Sequence, residues 1–357
     1  MLGVWVLSSL CIAASVAAPD APTLRQYYAQ PPSQWPAPHI DAGVVWQELA
    51  PLPSTQRALA ADPSASLWDD VENPRVVALG AKLFADPRLS RKQQVSCLSC
   101  HQPARSFTDG RALAVGEDGL MGSRRSMPLF GAVGASAFFW DGRAATLMEQ
   151  VLQPIHHPRE MNFSSTEVLQ RLRVEDQQDF LQAFGALPDA QLLARALSAY
   201  VASLRPPRTR FDDFLETQNT QVLSDQELIG LHLFRTKGRC LNCHSGPLLT
   251  DQQFHHIGLS FAGRRNQDLG RYEVTRLEKD AGLFRTPSLR GVAAAGPWMH
   301  NGLFPTLRGV ITMYAAGMPN LTRADALPFP IETSKHIKKL DLSEEEILAL
   351  EAFLQVL

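Results

Sequence analysis

Cys97-Leu98-Ser99-Cys100-His101 and Cys240-Leu241-Asn242-Cys243-His244 are the residues of this chain whose types and spacing could do chemistry together. Two thiols three positions apart, followed at once by an imidazole, match the edge and face of one porphyrin. The thiols reach its two vinyl groups and the histidine supplies an axial nitrogen. This is the attachment pattern of c-type haem, and it occurs twice. Zinc is one alternative, but zinc sites pair Cys-x-x-Cys units about 15–20 residues apart, whereas these begin at 97 and 240. Two disulfides are the other, because four cysteines in an exported chain ordinarily pair. The histidine that closes both copies favours haem.

Export is read from the first eighteen residues. Met1–Ala18 is apolar, uncharged and ends in small residues, as a secretory signal peptide does, although it lacks the usual basic start. A short membrane anchor fits its length less well, so no stable membrane insertion is expected. Cleavage after Ala18 removes Cys11, leaves the four motif cysteines, and predicts a periplasmic protein. Thiols kept for zinc are less expected there. Lys plus Arg is 34 against 36 for Asp plus Glu. That balance argues against a nucleic-acid binder and against a strongly acidic disordered chain.

The elements that must position the motifs are mostly helices. Residues 19–66 are rich in proline and read as an extended arm wrapping the surface. Val76, Val77, Leu79, Leu83 and Phe84 recur at helical spacing before Asp86-Pro87. A second helix is expected over 188–204. Ser224-x-x-Glu227 and Ser343-x-x-Glu346 read as capping boxes that open two more. The segments LGAKLFADPRLSRKQQVSCLSCH and LIGLHLFRTKGRCLNCH repeat the same order of helix, loop and motif. The chain is therefore expected to be all-α, with a signal peptide over 1–18, the arm over 19–66, and haem domains over 67–210 and 211–357.

Around the first motif the chain reads QPARSFTDGRALAVGEDGLMGSRRSMPLF and then FFWDGRAATLMEQVLQPIHHPREM. From about Pro74 to Leu357 it resembles the bacterial di-haem cytochrome c peroxidase and MauG family. The resemblance implies two cytochrome c-like domains, each with one covalent haem c, and a tryptophan between the haems, here Trp140. It implies a peroxide pocket of Gln, Pro and Glu at ten, fourteen and twenty residues beyond that tryptophan: Gln150, Pro154 and Glu160. A carboxyl group above iron can move a proton between the peroxide oxygens, and an apolar pocket would raise its pKa to suit. His101 and His244 would be the proximal ligands.

Three departures refine the resemblance. No histidine lies between His101 and Trp140, so the first haem is expected to be open to peroxide at rest, as in the MauG branch. His156 and His157 are weaker candidates as ligands there. Seventeen residues after Pro297 the peroxidase branch has a ligating methionine. Here that residue is Tyr314, with Met313 beside it. A phenolate favours oxidised iron, whereas methionine raises the potential. The family's inter-haem calcium would fall at Ser126, Ala295 and Pro297, but serine replaces the usual asparagine and is the poorer oxygen donor. Gly238 stands where MauG has a tryptophan facing its partner, and the arm sequence DAGVVWQELAPLP is similar to the MbnH type of the MauG-like branch. The expected function is a peroxide-dependent oxidase that uses high-valent haem iron to oxidise a Trp or Tyr of an exported partner, for the MbnH type a copper-binding protein. A cytochrome c peroxidase served by an electron-carrier protein is the first alternative, and a two-haem electron carrier without enzymatic activity is the second.

Overall fold

The computed structural model describes residues 19–59, 65–172, 174–323 and 327–357. The expected signal peptide lies outside them. Among the described residues the only strands are the two-residue Phe254–His255 and Phe284–Arg285, paired antiparallel. Everything else regular is helix.

Two hydrophobic cores account for the packing. In the N-terminal half, the helix Pro74–Ala85 starts on the Asn73 side chain and presents Val76, Leu79, Leu83 and Phe84 to the helix Ala190–Ser203. At their crossing a Cβ on Gly80 would stand 2.0 Å from the Ala196 carbonyl oxygen. Only glycine lets the backbones meet there. The C-terminal half repeats the device. The helix Asp225–Arg235, opened by the Ser224–Glu227 capping box, crosses the helix Glu344–Leu354, opened by the Ser343–Glu346 box. A Cβ on Gly230 would likewise lie 2.0 Å from the Ala349 carbonyl oxygen. Phe84 packs beside Tyr200 in one crossing and Phe234 beside Phe353 in the other.

The arm differs from the extended, superficial segment expected. Asp20 caps a helix, Ala21–Tyr28, whose Leu24 and Tyr28 are fully buried in the C-terminal core. Proline at its first turn starts that helix rather than breaking it. Arg235, 1% exposed on its side chain, anchors the arm. It donates to the Tyr28 hydroxyl (3.1 Å) and the Pro36 carbonyl (2.8 Å), pairs with Glu48, and lies over the Trp35 ring. Further on, the arm crosses the second motif. The Asp41 N–H donates to the Asn242 side chain (2.7 Å), whose amide donates back to the His39 carbonyl (2.9 Å).

No helix among the described residues is long and apolar enough to cross a membrane.

Candidate functional site

The four described cysteines are all free thiols, so the disulfide alternative finds no bridge among them. Each pair borders its own cavity. The first cavity is lined by Cys97, Cys100, His101, Gln150, Pro154, His157 and Glu160, the second by Cys240, Cys243, His244 and Tyr314. Trp140, Arg125, Pro128 and Arg285 line both cavities. They form the shared wall.

The histidines are oriented by backbone. His101 Nδ1 lies 2.8 Å from the Phe107 carbonyl oxygen and His244 Nδ1 lies 3.1 Å from that of Leu249. A carbonyl only accepts, so Nδ1 carries the proton in both rings and the Nε2 lone pair is left for a metal. Burial lowers both pKa values and keeps the rings neutral. A neutral, oriented imidazole behind two free thiols, facing an apolar cavity, is what covalent haem c requires. The residues present fit the group at both motifs.

In the first cavity, Thr146 caps the helix Leu147–His156, which carries Gln150 and Pro154. The Gln150 side-chain amide makes no hydrogen bond among the described residues and is free to meet a ligand. Pro154 lies inside this helix and supplies no N–H. The chain then turns so that the Glu160 N–H donates to the His157 carbonyl (3.0 Å), while the Glu160 carbonyl accepts from Glu117 N–H (2.7 Å). Gly116 permits this contact, because a Cβ there would meet the Arg159 and Glu160 backbone. Burial raises the Glu160 pKa above the ordinary carboxylate value, against the positive charges of His157 and Arg143. His157 Nδ1 lies 3.5 Å from the Glu160 Oε1. His156 faces away, within 2.8 Å of the Ser165 hydroxyl, and does not line the cavity.

In the second cavity, Tyr314 comes from the helix Leu307–Ala315. Burial, with the Cys243 and Cys240 sulfurs nearby, raises its phenol pKa well above the ordinary value. Met313 is absent from the lining and packs with Leu259, Phe304 and Met318. A cluster of Cys243, Asp251 and His255 has metal-ligand composition. It is explained without a metal: His255 pairs with Asp251 at 2.7 Å.

The shared wall is where sequence reading missed the most. The Trp140 indole donates to the Arg125 carbonyl (3.0 Å) and meets His300 edge-on at 6.4 Å. His300 is stacked on Phe284 at 3.6 Å, and burial lowers its pKa to about 4. Arg124 ties the halves together by pairing with Asp141, Asp268 and Glu273. Asp141 and Arg143 belong to the Phe-Trp-Asp-Gly-Arg motif and pair with each other at 3.1 Å. Trp140 is the sequence signal for this wall; sequence reading does not single out Arg124 and Arg125. Sequence spacing does not reveal which arginine is buried.

Comparison with known proteins agrees with this architecture. A family profile described as di-haem cytochrome c peroxidase matches residues 74–220. The methylamine utilization protein MauG of Methylorubrum extorquens is 36% identical over 293 residues, covering 80% of this chain and 78% of that protein. The cytochrome c551 peroxidase of Pseudomonas aeruginosa is 33% identical over 297 residues, covering 80% and 82%. The crystal structure of a MauG-like protein associated with microbial copper homeostasis superposes with a TM-score of 0.70 at 26% identity, covering 89% of this chain and 95% of that one.

Proposed function

The chain belongs to the di-haem cytochrome c peroxidase and MauG family of haem-dependent oxidoreductases, and we propose that within it this protein is a periplasmic, peroxide-dependent oxidase acting on an aromatic side chain of a partner protein. The observation that carries this reading is the asymmetry of the two cavities across one tryptophan. Glu160 and Gln150 line only the first cavity, Tyr314 lines only the second, and Trp140 lines both.

Bound at both motifs, haem supplies an iron that can exchange electrons with peroxide and pass oxidising equivalents onward. The protein residues divide the remaining work. In the first cavity Gln150 offers an unengaged amide to hold peroxide, and Glu160 takes a proton from one peroxide oxygen and returns it to the other. Its pKa, raised by burial, brings the carboxyl closer to the working pH and so favours both directions. Pro154 leaves no N–H of its own at that face. His101 and His244 would each hold the iron of one haem through Nε2, and Tyr314 would offer its phenol oxygen to the second. Trp140 is held by a hydrogen bond and by the His300 edge, and it connects the two sides without rearrangement. A protein substrate then need not enter the first cavity. It docks at the surface, and its electrons pass to the second.

The experiment is to add hydrogen peroxide to holoprotein mixed with exported candidate partners, copper-binding ones first, and to look for covalent mass changes. A stable mass change on a Trp or Tyr of the partner supports the oxidase. Fast peroxide turnover with a reduced cytochrome c or small copper protein as donor, and no covalent change in any partner, would instead identify a cytochrome c peroxidase. The 33% identity to the Pseudomonas aeruginosa enzyme gives that outcome its footing.

A further inference from the structure

We propose that the Arg125 guanidinium is the resident cation between the two haem cavities, in the place where the family resemblance puts calcium, and that with Arg285 it receives the haem carboxylates. This rests on the di-haem reading but not on which partner is oxidised.

Arg125 is fixed by three contacts. Its N–H donates to the His300 carbonyl (2.9 Å), its carbonyl accepts from Trp140 Nε1 (3.0 Å), and its guanidinium donates to the Ala295 carbonyl. That last oxygen is one of the expected calcium donors. Calcium needs six to eight oxygens at about 2.3–2.6 Å. At Ala295 it would press against a fixed positive charge. The other expected side-chain donor is the Ser126 hydroxyl, buried and without a hydrogen-bond partner among the described residues, and one neutral hydroxyl supplies a single oxygen of the six to eight that calcium takes. None of Ser126, Ala295 and Pro297 offers a carboxylate. The residues present do not fit calcium.

They do fit anions. Arg125 is 4% exposed, its Nε has no partner among the described residues, and Asp109 attracts it through space without forming an ion pair with it. Arg285 is 8% exposed, and among the described residues its guanidinium meets Gln252 Oε1 (2.6 Å), Met127 Sδ (2.9 Å) and the Phe139 carbonyl (3.4 Å) but no carboxylate. Arg124 next door shows what this chain does when a buried arginine is meant for protein partners: it has three carboxylates. A guanidinium stays protonated at neutral pH, so both are charged. A buried charge with no paired carboxylate is costly. Two of them on a wall shared by two cavities imply anions arriving from those cavities, and each haem brings two carboxylates. The guanidinium fork suits a carboxylate better than any other cation in the protein.

The test uses purified holoprotein with both haems attached, dialysed with and without EGTA. Metal content is measured by plasma mass spectrometry and the two haem potentials by spectroelectrochemistry. The wild type should hold calcium well below one ion per chain, and neither EGTA nor added calcium chloride should change its spectrum or potentials. Arg125→Met should shift both potentials to more negative values, because a lost positive charge favours the oxidised haem. Arg125→Lys should keep them near the wild type. One tightly held calcium per chain whose removal alters the spectrum overturns the proposal, and so do potentials that Arg125→Met leaves in place. If Arg125→Met yields no folded holoprotein, chelation of the wild type and the potentials of Arg285→Gln decide in the same way.

Discussion

In the N-terminal half, Gly80 lets Pro74–Ala85 close on Ala190–Ser203. In the C-terminal half, Gly230 lets Asp225–Arg235 close on Glu344–Leu354, at the same 2.0 Å from a carbonyl oxygen. Behind each crossing a Cys-x-x-Cys-His motif turns its histidine by a backbone carbonyl five or six residues on. Past that point the halves diverge. The first cavity receives a carboxyl with a raised pKa and an unengaged amide. The second receives a tyrosine, and the arm is packed across its motif. The two halves repeat the scaffold that presents each Cys-x-x-Cys-His motif and differ in the residues that line the rest of each cavity.

That comparison can be broken most severely at the first cavity. Glu160→Gln should slow the reaction with peroxide by about 10²–10⁴, read by stopped-flow absorbance, and leave the second haem's spectrum unchanged. An unchanged rate would remove the carboxyl from the mechanism. The same substitution should also alter the pH profile. Glu160 must be ionised to take the first proton, so the rate falls as pH drops through its pKa. Because burial raises that pKa, the acid limb should lie above the ordinary glutamate value of about 4.3. In Glu160→Gln this limb should be missing.

Trp140→Phe probes the shared wall. It keeps an aromatic ring but removes the Nε1 donor to Arg125. Oxidation of the partner should slow much more than the first reaction with peroxide, measured by rapid-quench mass analysis beside stopped flow. Equal slowing of both would mean that Trp140 acts within the first cavity only.

The smallest expected effects fall on the shared scaffold. Gly80→Ala and Gly230→Ala should each destabilise their own half, since overpacking of this kind costs about 1–3 kcal/mol. Alanine's better helix propensity offsets at most about 1 kcal/mol. Differential scanning calorimetry should show a similar loss for both. A loss at one site only would mean that the two crossings are not equivalent.

What could be read in the sequence follows from how local each feature is. The haem motifs, the Ser224 and Ser343 capping boxes and the helix over 74–85 are set within a few residues, and the structure shows those helices with those caps. The Ala21–Tyr28 helix has equally local signals, Asp20 and an early proline, but the surrounding prolines obscured them. The different fates of Arg124 and Arg125 were beyond local reading. Adjacent and identical in type, they are separated only by what the C-terminal half brings to each: Asp268 and Glu273 for one, the Ala295 carbonyl for the other. The choice between Met313 and Tyr314 is of the same kind, because a one-residue step on a helix decides which side chain lines the cavity.

The proposed function requires one haem open to peroxide and the other closed by Tyr314. Low-temperature electron paramagnetic resonance of the oxidised holoprotein, wild type beside Tyr314→Phe, tests it most directly. The account predicts one high-spin and one low-spin haem in the wild type, with only the low-spin signal changed in the variant. Two low-spin haems in the wild type, or a low-spin signal indifferent to Tyr314→Phe, would contradict it.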